Sequence, residues 1–380
     1  MAAAGEFDIL IGGAGPVGLA LAAMLVRHGA APQRIALIDA RPLEQAAHDP
    51  RSLALSWGSR QLLDEIRAWP AGATAIREIH VSRRGHFGRT LMTADEFGLP
   101  ELGYVSRYGT LVQTLSAAAS AAGVQVLRPM QIASREETVD GIGLLLADGR
   151  TLRSQVMVQA EGGLFADQPG KPISRDYNQT AVISHVTVSA PVTERAFERF
   201  TDEGPLALLP QDDGYALVWC LRPARASQVA ALPDATFIAQ LQQAFGQRLG
   251  TILSATPRIS YPLGLNASTA HTARMVAIGN AAQTLHPVAG QGLNLGLRDA
   301  AVLARMLAVD ATPLTLQHYV AQRRQDRRVT IALTDAMARV FASAPDGALS
   351  QGLLGMLLGM TDVVRPVKSL LAGQMMFGRR

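Results

Sequence analysis

The chain is poor in cysteine, lysine, aromatic residues and charge, and each shortage narrows what it can be. Cys220 is the single cysteine among 380 residues. That excludes an intrachain disulfide and a metal site built from clustered thiolates, and it agrees with a reducing compartment. The eight histidines show no paired ligand spacing, so no metal is expected. Lys171 and Lys368 are the only lysines; the rest of the 35 basic residues are arginine, and they are scattered. With a net charge of only +4 and no basic tract interleaved with aromatics, nucleic acid is not an expected partner. Charged residues make up 17% and hydrophobic ones 48%, yet no apolar stretch reaches the roughly 20 residues that span a bilayer. No basic segment precedes the first apolar run, so no signal peptide is expected and the placement is cytoplasmic. The length is ample for one large or two intimate domains around a sizeable core.

What is present is concentrated at the start. Ile9-Leu10-Ile11 reads as a buried strand and stops at Gly12-Gly13-Ala14-Gly15-Pro16-Val17-Gly18. An alanine-rich helix pattern follows from Leu19 to His28, Gly29 ends it, and a second apolar run, Ile35 to Ile38, closes on Asp39. Strand, glycine turn, helix, strand and acid is the order of a dinucleotide-binding βαβ unit. Gly13 permits the tight turn, Gly15 lets the backbone approach a pyrophosphate, and Gly18 lets the helix pack on the strand. Ala14 and Pro16 complete a turn that leads into a helix N-terminus carrying about half a positive charge. Asp39 arrives at the spacing where a carboxylate meets ribose hydroxyls. Arg51, just before the next helix pattern, is a candidate for reaching back to a phosphate with its forked donors.

The rest of the chain predicts an α/β protein: a Rossmann-like βαβ domain, an inserted, mostly antiparallel β-sheet domain, and C-terminal helices. Strand patterns at Val124–Leu127, Gly143–Leu146 and Val156–Val158 belong with the first unit, and the last ends at Ala160-Glu161-Gly162-Gly163. Residues 76–106 form an excursion of strands and turns that includes Gly85 and Gly88. From Thr180 come the short strand patterns Ala181–Ile183, Val186–Val188, Ala207–Leu209, Tyr215–Trp219 and Arg258–Tyr261, with one helix at Ala235–Phe245. The expected division is 1–75, 107–170 and 271–330 for the nucleotide domain, 76–106 and 171–270 for the substrate domain, and 331–380 for a C-terminal helical segment. A second dense stretch, Met275 to Gly296, runs from a strand into a polar loop with His286 and Pro287. It ends in a helix that starts near Gly290–Gly292, a second anion-binding helix start.

With both stretches in hand, the chain resembles the class A flavin-dependent aromatic hydroxylases of the para-hydroxybenzoate hydroxylase fold. Within them it is most similar to the ubiquinone-biosynthesis hydroxylases, in their 2-polyprenyl-6-methoxyphenol hydroxylase branch. Gly13 to Gly18 with Asp39 match the ADP-binding fingerprint for FAD, and Gly279-Asn280-Ala281-Ala282 matches the family's Gly-Asp-Ala-Ala motif. Gln283 to Gly296 matches the ubiquinone-hydroxylase continuation. Gly103-Tyr104-Val105 with Gln113, Tyr177 with Gln179, and Gly204 to Pro210 match as well. Two departures stand out. Asn280 replaces an acid that contacts flavin ribitol, though an amide oxygen still accepts. Glu161-Gly162 replaces an Asp-Gly followed by Ser and Arg, which leaves the electron donor, NAD(P)H or another, open.

The resemblance implies noncovalent FAD held by Gly13, Ala14, Gly15, Pro16, Gly18, Asp39, Arg51, Gln113, Asn280, Gly290, Gly292, Leu293 and Asn294. It implies hydroxylation of a polyprenylated phenol with O2 through a flavin C4a-hydroperoxide, inside a site that excludes water. His286 and Pro287 are the catalytic candidates, with Pro287 walling the flavin ring. A prenyl tail holds its substrate in the bilayer at about 0.8 kcal/mol per buried CH2, so the expected location is peripheral on the inner membrane face. Two candidate membrane contacts are a helix face bearing Arg323, Arg324, Arg327 and Arg328, and the apolar run at 353–360. A ubiquinone-synthesis protein complex and a homo-oligomer are further expected partners. Two other readings stay open: an FAD-dependent reductase or dehydrogenase of a prenyl lipid, and a flavin-bound non-catalytic subunit.

Overall fold

The computed structural model describes residues 5–84, 89–162, 173–267, 271–287 and 290–342, together with Gly373 and Phe377. Gly85, Gly88, Gly163 and the apolar run at 353–360 lie outside the described residues. In chain order the first elements are β1 (Gly5–Gly12), α1 (Pro16–Arg27), β2 (Ile35–Ile38), α2 (Leu43–Ala47), β3 (Ser52–Ser56), α3 (Trp57–Glu65) and β4 (Thr74–Ile76). Then come β5 (Glu78–Arg83), β6 (Arg89–Thr93), β7 (Gly103–Arg107), α4 (Tyr108–Ala121), β8 (Gln125–Leu127), β9 (Ile132–Glu137), β10 (Ile142–Leu146) and β11 (Thr151–Gln159). The central stretch holds β12 (Ile173–Val188), β13 (Arg195–Phe200), β14 (Pro205–Gln211), β15 (Gly214–Leu221), α5 (Pro223–Ala230) and α6 (Asp234–Phe245). The chain closes with β16 (Ile252–Ala255), β17 (Ile259–Ala267), β18 (Met275–Ala277), β19 (Gln283–Thr284), α7 (Gln291–Leu307) and α8 (Pro313–Ala342).

A seven-stranded sheet runs β8-β2-β1-β11-β10-β9, with β18 also pairing β11. Its centre is parallel, so both faces are covered and the strands read as unbroken apolar runs. Ile9 and Ile11 are buried with most of the α1 residues that pack on them, and Leu10 is buried on the opposite face of the sheet. Gly29, with φ +101°, ends α1 in the left-handed region. Helices α1, α4 and α7 share one core with β1.

A nine-stranded sheet runs β19-β17-β12-β15-β14-β13-β5-β6, with β16 also on β12. Its pairings are antiparallel except β13 with β5. The back face is closed by α5 and α6: Phe197, Leu208, Leu217 and Trp219 pack there with Phe237 and Phe245. A small third sheet, β3-β7-β4, completes the strands.

Three features differ from the sequence expectations. Ala181–Ile183 and Val186–Val188 are parts of one strand of 16 residues, because β12 pairs with β17, β15 and β16 along its length. No helix break falls at 330; α8 is continuous from Pro313 to Ala342. The four arginines do not share a solvent face. Arg323 and Arg327 point inward, 1% and 8% exposed, and Arg324 and Arg328 point out. Arg323 bonds Asp299 at 2.8 Å and Asp326 at 2.5 Å, and Arg298 bonds Asp326 at 3.2 Å. A buried ionic cluster thus joins α7 to α8 where a lipid-facing patch was expected.

Candidate active site

The parallel strands β1, β2, β11 and β18 deliver their C-terminal ends to one place, which is where open α/β sheets bind ligands. There the chain presents Gly13, Asp39, Glu161 and Asn280. Gly13 has φ +103°, and its N–H donates to the Ile38 carbonyl at 2.7 Å. A Cβ on Gly13 would lie 2.6 Å from the Ala160 carbonyl carbon, and one on Gly18 would lie 1.9 Å from the Gly13 oxygen. Both glycines are therefore demanded by the protein's own packing. Gly15 is different. Its φ is −79°, and the nearest atom to an added Cβ is the Tyr108 hydroxyl at 3.6 Å. Nothing in the protein requires glycine there, and Gly15 lines a cavity.

Asp39 ties the turn together. The Ala14 N–H donates to its Oδ2 at 2.7 Å and the Arg41 N–H to its Oδ1 at 2.7 Å. A carboxylate has about four lone-pair positions, so capacity remains on the cavity side. Arg51 lines the cavity with its guanidinium held by Asp49 at 2.7 Å and placed 4.7 Å from the Tyr108 ring centre. Glu161 also lines the cavity, and loss of water raises its carboxyl pKa.

The second helix start enters the same cavity. Gly290, φ +59°, stands at the N-cap of α7, and Gly290, Gly292 and Leu293 are lining residues beside Asn280, His286 and Pro287. Neither α1 nor α7 has a side-chain cap, so the positive ends of both helices are left for a ligand. The Asn294 side chain turns away from the cavity. Its Oδ1 accepts from the Ser56 N–H at 2.9 Å and the Ser59 hydroxyl at 2.6 Å; its Nδ2 donates to the Ala54 and Gly290 carbonyls. It fixes the helix start to β3 and α3. Gln113 is exposed on the outer side of α4 and is not among the residues that line the cavity.

His286 is buried, and its Nε2 lies 2.9 Å from Gln179 Oε1. Gln179 Nε2 donates to the Glu203 carbonyl at 2.8 Å, which leaves Oε1 as the acceptor and puts the ring proton on Nε2. Burial lowers the His286 pKa to about 4, so the imidazole is neutral at neutral pH. Its ring stands edge-on to Tyr177 at 5.3 Å. These contacts make His286 a strut of the loop that carries Pro287.

The cavity measures about 1680 Å³, and its other wall is the front face of the nine-stranded sheet. Strand register sets Val81, Glu198, Ala207, Val218, Ile183 and Ile259 in one row across it. The flanking rows add Ile79, Ala196 and Leu209 on one side, and Phe200, Pro205, Cys220 and Ala181 on the other. Glu198 and the two tyrosines of the wall, Tyr108 and Tyr261, were not singled out from the sequence. A signal for Glu198 existed: alternation along Arg195-Ala-Phe-Glu-Arg-Phe200 places it with Ala196 and Phe200, on the face that Phe197 does not occupy.

Two uncapped helix starts, a ribose-reaching acid and a glycine that only a ligand explains fit a dinucleotide whose two ends meet different turns. A long, mostly apolar chamber beside them leaves room for a second molecule next to such a cofactor, the arrangement of a cofactor-dependent enzyme. The family described as "FAD binding domain" matches residues 6–333. The chain is 32% identical to the ubiquinone hydroxylase UbiL of Rhodospirillum rubrum over 379 residues, which cover 96% of this chain and 88% of that protein. It is 32% identical to the 3-demethoxyubiquinol 3-hydroxylase of Escherichia coli, over 79% of each. Among solved structures, p-nitrophenol 4-monooxygenase PnpA of Pseudomonas putida superposes with TM-score 0.78 at 16% identity over 99% of both chains, which shows a shared fold. The chain belongs to the family of FAD-dependent hydroxylases that includes the ubiquinone hydroxylases.

Proposed function

We propose that this protein is an FAD-dependent monooxygenase that hydroxylates the ring of a polyprenylated phenol in ubiquinone synthesis. The observation that carries the reading is one continuous cavity whose one wall is two glycine-rich helix starts and whose other is an apolar sheet face. Gly15 and the α1 N-terminus would hold the pyrophosphate, and Asp39 the adenosine ribose. Asn280 would accept from the ribitol. The α7 start would offer N–H groups to the ring edge that carries negative charge when reduced. Arg51, which lines the same cavity, would add a phosphate contact. Bound FAD supplies oxygen from O2 in electrophilic form once a two-electron donor has reduced it. Pro287 and the apolar sheet face would keep water from that oxygen and give the phenol ring an apolar surface to lie against.

The prenyl tail of such a substrate stays in a bilayer, so the protein meets it at a membrane surface. No described helix is long and apolar enough to cross a membrane, and contact is therefore peripheral in this reading. The test is incorporation of isotope-labelled O2 into a prenylphenol by the purified protein with bound FAD and a chemical reductant. Label in the product supports a monooxygenase. Turnover without label makes the protein a prenyl-lipid reductase or dehydrogenase, and tight FAD with no turnover makes it a non-catalytic subunit.

A further inference from the structure

Glu198 is an ionisable side chain on a wall built of hydrocarbon. From β5 it faces Val81, from β14 Ala207 and Pro205, and from β15 Cys220. Arg199 and His80 lie on the opposite face of the sheet: Arg199 Nε donates to the Ala244 carbonyl on α6, and the His80 ring contacts Phe197. No hydrogen bond or ion pair links the Glu198 carboxyl to a described residue. A protein that wanted only a greasy wall would place an aliphatic residue here, since an unpartnered carboxylate beside hydrocarbon is costly. The carboxyl lines the same cavity as Leu285, Pro287 and Leu293. Resting on the reading of this cavity as a phenol site, we propose that Glu198 is the catalytic base that takes the proton from the substrate's phenolic hydroxyl.

The step is a proton transfer only. The phenol O–H bond breaks, the proton bonds to a Glu198 carboxylate oxygen, and the electron pair stays on the phenolate. No redox change occurs at this point. The phenolate pushes electron density into the ring, where a carbon would take the electrophilic oxygen that bound FAD would supply, the O–O bond breaking and its electron pair leaving with the oxygen that stays behind. The ring hydrogen then leaves to water, and the proton on Glu198 returns to the phenolic oxygen. Burial pushes the Glu198 pKa up to about 7, which matches a base to neutral operating pH. An ordinary carboxylate, at about 4.3, would be far weaker toward a phenol at about 10. The neighbouring Cys220 thiol is raised by the same burial and by Glu198, so it stays protonated and does not compete. His286, neutral and bonded to Gln179, leaves the role open as well.

The test uses the FAD-loaded full chain, wild type, Glu198→Gln and Glu198→Asp, with a 2-prenylphenol as probe. FAD content and melting temperature establish that the variants fold. The first readout is the ultraviolet difference spectrum of the bound phenol, which reports its ionisation without turnover. Wild type and Glu198→Gln are both expected to bind the neutral phenol with Kd values within threefold of each other, because a base at about 7 takes the proton of a phenol at about 10 only as the ring reacts; wild-type product formation should rise with pH through about 7. The second readout is single-turnover product formation: Glu198→Gln is expected to fall 100-fold or more, within the range of general-base catalysis. Glu198→Asp should recover part of that loss with a shifted pH profile. If wild type binds the phenol already ionised, or Glu198→Gln keeps the wild-type rate and pH profile, the assignment of the base is overturned while the phenol site stands. If wild type binds no phenol, both readings fall together.

Discussion

Gly15 and Gly18 lie three residues apart in one turn, yet they should fail in different ways when given a methyl group. At Gly18 the new carbon would sit 1.9 Å from the backbone oxygen of Gly13. Neither partner is a movable side chain, so α1 must lift off β1 and disturb the core that Leu19, Leu21 and Val156 share. Overpacking of this kind costs about 1–3 kcal/mol and more where backbone meets backbone. The better helix propensity of alanine returns only about 1 kcal/mol. A loss of several kcal/mol is a large share of the roughly 5–15 kcal/mol that holds a typical protein folded. At Gly15 the new carbon has no protein atom nearer than 3.6 Å, and the backbone needs no left-handed conformation. Gly15→Ala should therefore leave the apoprotein within about 1 kcal/mol of wild type, the scale of an N-cap exchange. Its methyl instead meets the pyrophosphate, and the same overpacking appears as lost affinity, about 5- to 150-fold at 1.4 kcal/mol per factor of ten. Urea unfolding of the apoproteins and FAD titration by flavin fluorescence separate the two. A Gly15→Ala protein with wild-type FAD affinity refutes the placement of the phosphates, and a Gly18→Ala protein of wild-type stability refutes the packing argument.

Asn294→Ala removes four hydrogen bonds at the α7 start; stability should fall by about 2 kcal/mol or more in urea unfolding, with FAD binding weakened through the displaced helix start. Asp299→Asn leaves buried Arg323 without one of its two carboxylates, and a loss of about 3–5 kcal/mol is expected, whereas Arg324→Ala on the outer side should change stability by less than about 0.5 kcal/mol. Because the folded His286 pKa is depressed to about 4 from 6.5, the unfolded chain binds more protons in that window. The part of the stability that depends on neutral His286 is thus full above pH 6.5 and lost as pH falls toward 4. Histidine NMR should show no protonation of His286 from pH 5.5 to 8, and Gln in its place should flatten the acid limb of stability. Glu198 has the opposite sign: its raised pKa makes ionisation unfavourable in the folded state, so stability falls as pH rises from 4.5 through about 7. Glu198→Gln should remove that loss, which is about 3 kcal/mol at 1.36 kcal/mol per pH unit.

The nucleotide turn was legible because everything that shapes it is local. Strand, glycines, helix and acid span residues 9–39, and the bonds that close the turn, Ala14 N–H to Asp39 and Gly13 N–H to Ile38, lie inside that window. The second helix start was legible for the same reason. Its supports were not: Asn294 is claimed by Ser56 and Ser59, more than two hundred positions earlier, and no local pattern announces that. The arginines of α8 misled for a physical reason. The buried stripe of that helix, Leu316, Tyr319, Arg323, Asp326, Arg327, Thr330 and Thr334, keeps helical periodicity but is largely polar. A reading that seeks apolar stripes turns such a helix inside out, because the partners that neutralise it come from α7.

The far wall of the cavity owes its chemistry to register. Strands β12, β13, β14 and β15 present one set of side chains to the cavity and the alternate set to the core under α5 and α6. On β15 the helix-facing set is Tyr215, Leu217 and Trp219, and the cavity-facing set is Ala216, Val218 and Cys220. The bulky set fills the space under the helices, and the smaller set leaves room for a ligand. On β13 the same rule puts Phe197 under α6 and Glu198 in the cavity. A slip of β13 by one residue would bury a carboxylate among Leu208, Leu217 and Phe245 and push a phenyl ring into the chamber. Each exchange is costly, so the packing that holds the sheet to its helices also fixes which residue meets the substrate. The position of Glu198 is set by the hydrophobic layer behind it, and a variant that loosens that layer, such as Phe245→Ala, should blur the pH profile of single-turnover hydroxylation before it abolishes FAD binding.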